Sequence, residues 1–87
     1  MKAESISILA EDLDTGITYS FIIPVSDAKK IRANYTGEIL TFEYGFFFPN
    51  LKENIISVRY KSGGGTASLN LKDFLQQLED KMSIADQ

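Results

Sequence analysis

Alternating stretches separated by turn residues, together with two stretches of helical spacing, place this chain in the α+β class. The strongest alternation is in residues 38–48, where Leu40, Phe42, Tyr44, Phe46 and Phe48 occupy every second position and so share one side of an extended strand. Ile6 and Ile8 alternate with serines, and Ile56, Val58 and Tyr60 alternate with Ser57, Arg59 and Lys61. Helical spacing occurs twice, at Ala28, Ile31 and Tyr35 and at Leu71, Phe74, Leu75, Leu78 and Met82. These patterns predict a mostly antiparallel sheet of about five strands, a short middle helix and a C-terminal amphipathic helix, in the order ββαβββα.

The first strand is expected over 4–10 and its hairpin partner over 17–23, with Ile17, Tyr19, Phe21 and Ile23 facing inward. Between them, Asp14-Thr15-Gly16 is turn chemistry, because Asp caps its own backbone and Gly accepts a positive φ. Pro24 lacks an N–H and should end the second strand. Ser26 or Asp27 then caps a helix to about Asn34 that buries Ala28, Ile31 and Tyr35 and leaves Lys29, Lys30 and Arg32 in water.

The central strand follows. Gly45 within it signals a bulge or a close backbone approach. Phe46, Phe47 and Phe48 are consecutive, so Phe47 is expected on the outer face unless Gly45 shifts the register. Residues 49–53 read as a loop, 54–61 as a strand, 62–65 as a glycine turn and 66–70 as a short strand with Ala67 and Leu69 inward. Asn70 caps the last helix to about Met82, and Asp73 favours the positive end of its dipole. Residues 83–87 are expected to form a frayed tail.

The 87 residues fit a single domain, 1–87. There is neither a signal-peptide pattern nor an apolar run of membrane-spanning length, and cysteine is absent, which together give the expectation of a cytoplasmic protein without a membrane partner. Net charge is −3, distributed as −3 over residues 1–24, +2 over 25–61 and −2 over 62–87. An acidic chain without a basic face is a poor match for duplex nucleic acid.

The inventory also bears on catalysis. With no His and no Cys, no Ser-His, Cys-His or zinc constellation can form. The carboxylates Glu11, Asp12 and Asp14 could offer oxygen ligands to calcium, but their spacing is that of a solvated turn. Asp14-Thr15-Gly16 also matches the aspartic-protease tripeptide, although charged neighbours replace the apolar setting that chemistry needs. In Lys61-Ser62-Gly63-Gly64-Gly65-Thr66 the lysine precedes the glycines, the reverse of a phosphate loop. The expectation is therefore a non-enzyme without cofactor or metal.

What remains is contact surface. A protein–protein binder of the inhibitor, immunity, antitoxin or phage-antagonist type is expected, with Glu11, Asp12 and Asp14 meeting a basic partner. An outer sheet face around Phe47, Arg59 and Lys61 is the second contact candidate. Homodimerisation through an edge strand or the Phe47 side is a related option. The alternative is single-stranded nucleic acid, stacked on Tyr44 and Phe47 beside Arg59 and Lys61.

Overall fold

The computed structural model describes residues 4–36, 38–42, 45–61 and 66–85. The expected turn at 62–65 and the side chains of Tyr44 and Tyr60 lie outside what is described. The fold is α+β, as the sequence predicts, with β1 (Ser5–Glu11), β2 (Thr18–Pro24), α1 (Val25–Ala33), β3 (Leu40–Phe42), β4 (Gly45–Asn50), β5 (Ile55–Tyr60), β6 (Thr66–Asn70) and α2 (Leu71–Ala85). The expected single sheet of about five strands is instead two antiparallel sheets, β1-β2 and β3-β4-β5-β6.

The extra strand comes from the aromatic stretch. It does not run straight through residues 38–48 but folds back on itself, with Phe42 opposite Gly45 and Leu40 opposite Phe47. A reversal that pairs an even with an odd position inverts the parity of everything after it. Phe42 and Phe47 therefore face the core, whereas Phe46 and Phe48 turn to the other side and are only half-buried. Phe47, expected on the outer face, is fully buried, with its ring centroid 4.4 Å from Phe42 and 5.4 Å from Phe74.

Gly45 makes this reversal feasible. A Cβ there would collide with the Arg59 carbonyl across the ladder and lie 2.9 Å from the Phe42 ring. The glycine thus marks a close backbone approach at the mouth of a hairpin. β4 runs on through Pro49 to Asn50, which the sequence reading had placed in a loop. β3 stops opposite Phe47, so Pro49 lies where β4 has a neighbour on the β5 side alone and its missing N–H breaks no ladder.

The inner faces of the sheets meet the two helices. α2 packs against β1, β5, β6 and α1, and α1 packs against β1, β2, β3 and α2. Sheet one contributes Ile6, Ile8, Phe21 and Ile23, and sheet two Phe42, Phe47, Ile56, Val58, Ala67 and Leu69; the helices add Ala28, Ile31, Leu71, Phe74, Leu78 and Met82. Ile17, Tyr19 and Tyr35, expected inside, are exposed instead: Ile17 precedes β2, Tyr19 lies in the outer half of β2 near the turn, and Tyr35 follows α1. α1 begins at Val25 with Pro24 as its N-cap residue and has no side-chain cap, so neither Ser26 nor Asp27 plays that part. α2 outruns the expected end at Met82, continuing to Ala85, so residues 83–85 are helical.

Two asparagines hold the start of α2. Asn70 Oδ1 accepts from the Asp73 N–H at 3.0 Å, the predicted cap. Asn54, whose φ of 57° is left-handed, brings its carbonyl to the Leu71 N–H at 2.9 Å and its Oδ1 to the Lys72 N–H at 3.1 Å. Three N–H groups that a helix start leaves without intrahelical partners are thus satisfied by side chain and turn.

Replacing Gly45 by Ala is expected to destabilise the fold by about 3 kcal/mol, because the methyl group meets backbone that cannot give way. In a thermal melt this appears as a fall in Tm of roughly 15 °C or a failure to fold. A melt within a few degrees of the parent would refute the assigned register.

Candidate docking surface

The β1–β2 turn is tied to β6 rather than free in water. Within it, the Asp12 N–H donates to the Ile17 carbonyl and the Gly16 N–H to the Asp12 carbonyl, both at 2.8 Å. Gly16 takes φ of 77°, the left-handed geometry expected of it. Asp12 Oδ1 accepts from the Asp14 N–H at 3.0 Å, so the side chain that caps the turn is Asp12 and not Asp14, the residue that the sequence suggested. The same oxygen accepts from the Ser68 N–H at 3.4 Å, and the Ser68 carbonyl receives the Leu13 N–H at 2.8 Å. Both edge-facing main-chain groups of Ser68 are therefore taken by the turn.

This divides the three predicted acidic contacts. Asp12 is only 4% exposed and braces the turn; a contact role for its side chain is corrected to a structural one. Glu11 and Asp14 stand in solvent on either side of it.

Beside the turn, an open cleft of about 230 Å³ lies between the end of β1, the end of β6 and the first turns of α2. Leu9, Ala10, Leu13 and Phe74 give it apolar walls; Glu11, Asn70, Asp73 and Gln77 give it polar ones. Leu9 is 61% exposed and Leu13 54%, so the cleft offers apolar surface to solvent. Asn70 is committed to the helix cap. Gln77 is committed to β1, donating to the Leu9 carbonyl at 2.6 Å and accepting from the Leu9 N–H at 3.1 Å. Glu11 and Asp73 remain, and among the described residues no ion pair neutralises either. Sequence reasoning missed Leu9, Leu13, Asp73 and Gln77 as site residues, since only the approach of α2 to the hairpin brings them together.

The second predicted surface is rearranged. With Phe47 in the core, the outer face of the larger sheet presents Phe46 and Phe48, with ring centroids 6.4 Å apart. Arg59 stands opposite Phe46 in the ladder and is exposed. The Lys61 ammonium lies 5.6 Å from the Phe46 ring centroid, within range of a cation–π contact. The structure keeps Arg59 and Lys61 together but substitutes Phe46 for Phe47 as their aromatic neighbour. The glycine loop at 62–65 lies outside the described residues.

Among the described residues no group of three carboxylates converges to hold a metal ion. No helix of the described chain is long and apolar enough to cross a membrane. No protein-family model, curated protein or solved structure matches this chain.

Asp12→Ala should cost about 1–3 kcal/mol in denaturant unfolding, because the Asp14 and Ser68 N–H groups lose their acceptor. Asp12→Asn keeps an oxygen in place and should retain most of that stability. Equal losses in the two variants would show that the negative charge, not the acceptor, matters.

Proposed function

We propose that this protein is a binding module that occludes the surface of a protein partner, docking it at the cleft beside the β1–β2 turn. The observation carrying this reading is the pairing of exposed aliphatics, Leu9 and Leu13, with the carboxylates Glu11 and Asp73, which no ion pair neutralises among the described residues, around one opening. Such a surface suits a basic segment with apolar character. The aliphatic portions of a Lys- or Arg-bearing segment lie on the leucines, and its cations meet the carboxylates. Asp14, exposed on the same turn, extends the negative field and favours capture of a basic partner. The absence of His and Cys from the chain supports contact rather than bond chemistry. An inhibitor, immunity protein or antagonist of cytoplasmic location is the setting in which such a module fits best.

A second reading has its own observation. Phe46 and Phe48, with Lys61 over one ring and Arg59 beside it, resemble a small stacking platform for single-stranded nucleic acid. The negative net charge weighs against it.

The test is affinity capture from the protein's own cells, followed by titration of the captured partner against variants. The Glu11→Lys, Asp14→Lys double variant should bind at least about tenfold more weakly and depend less on salt. Its Tm should stay within a few degrees, since neither side chain is buried. Undiminished binding by that variant would remove the turn as the site. A gel shift with single-stranded oligonucleotides that vanishes in Arg59→Ala, Lys61→Ala would move the assignment to the other sheet.

A further inference from the structure

The edges of the two-stranded sheet are treated differently. The Asp12 N–H donates to the Ile17 carbonyl and the Val25 N–H to the Glu4 carbonyl. With the register of Ile6 opposite Ile23 and Ile8 opposite Phe21, the hydrogen-bonded pairs are even-numbered in β1 and odd-numbered in β2. Ser5, Ser7, Leu9 and Glu11 therefore aim their main-chain groups away from β2, and Thr18, Ser20 and Ile22 aim theirs away from β1. On the β1 side, Gln77 takes both groups of Leu9. On the β2 side, among the described residues, no hydrogen bond reaches the main-chain groups of Thr18, Ser20 or Ile22.

That open edge also carries apolar side chains. Ile17 is 53% exposed and Ile22 54%, and Tyr19 stands exposed between them, its ring centroid 6.3 Å from that of buried Phe21. From Thr18 to Pro24 the strand has no charged residue. Lysines, inward charges and bulges are the usual means of keeping an edge from pairing, and β2 has none of these.

We propose that β2 is an interface for a second copy of this chain, pairing antiparallel with its own counterpart about a twofold axis at Ser20. The strand is self-complementary in that register. Ser20 faces Ser20 of the second copy, and Thr18 faces its Ile22, so three pairs each exchange two hydrogen bonds. Tyr19 comes opposite Phe21 of the second copy, and Ile17 opposite its Ile23, which covers the apolar atoms now in water. No like charges meet across the strands, and the acidic turns fall at opposite ends of the four-stranded ribbon. Gly16 with its left-handed φ and Pro24 without an N–H bound the ladder at either end. Association stops at two, because the outer edge of each β1 is engaged by Gln77 at its midpoint. This interface involves neither the cleft nor the carboxylates proposed to meet a partner.

An interface of one short strand is at the small end of specific contacts, so a dissociation constant on the order of 100 µM is expected. Sedimentation across about 5 µM to 1 mM should show a monomer–dimer equilibrium, and exchange of the Ser20 and Ile22 amides should slow as concentration rises. Ser20→Lys, which sets two ammonium groups face to face, should shift the equilibrium at least about tenfold towards monomer. The chain has no cysteine of its own. Ser20→Cys should therefore cross-link readily on oxidation, since the paired Cα atoms of that register lie within disulfide reach. Ser7→Cys, exposed on the same sheet face but one strand removed, should not. A chain that stays monomeric throughout, a dimer indifferent to Ser20→Lys, or equal cross-linking of the two cysteine variants would overturn the proposal.

Discussion

Helix α2 holds the two sheets together. They share no ladder, yet α2 is fixed to both along its first two turns. The Gln77 amide forms two hydrogen bonds with the main chain of Leu9 in one sheet, as a neighbouring strand would. Three residues earlier, Phe74 packs on Phe47 of the other. Both contacts need α2 to begin at one particular place. The Asn54 turn and Asn70 set that place by receiving the N–H groups of Leu71, Lys72 and Asp73. Satisfying the helix start and joining the sheets are thus one constraint, and an error of one residue in α2 would turn its apolar stripe away from the core.

The candidate docking surface follows from the same arrangement. Because α2 starts beside the end of β6, its first turns flank the end of β1 and leave a cleft between them. Ser68 fastens the β1–β2 turn on the other side through both of its main-chain groups. The turn is therefore a braced platform, and Glu11 and Asp14 project from a fixed backbone. A buried carboxylate with two N–H donors and an exposed one with none among the described residues perform different work, although Asp12 and Asp14 look alike in sequence. The cleft gathers its apolar and charged parts from two segments far apart in the chain, residues 9–13 and the first turns of α2.

Much of the architecture was legible in local pattern. The alternation at Ile6 and Ile8, the Asp14-Thr15-Gly16 turn, the Asn70 cap and the stripe from Leu71 to Met82 each state a local preference that the fold satisfies. Such signals are readable because period, turn chemistry and capping depend on neighbours within a few residues. The aromatic stretch was misread because a straight strand and a tight hairpin share the same even-numbered apolar positions as far as Phe42. The difference emerges only at Gly45, whose lack of a Cβ matters because the Arg59 carbonyl lies against it.

The sequence by itself determined the α+β class, the positions of most elements and an inventory without imidazole or thiol. Tertiary structure decided which face each aromatic occupies, which carboxylates are free, and which edges of the sheets are closed. Those are properties of pairs distant in the chain, such as Gln77 with Leu9, Asp12 with Ser68 and Phe47 with Phe74. A residue's type limits what it can bond with, but burial and partner are fixed only when the chain closes on itself.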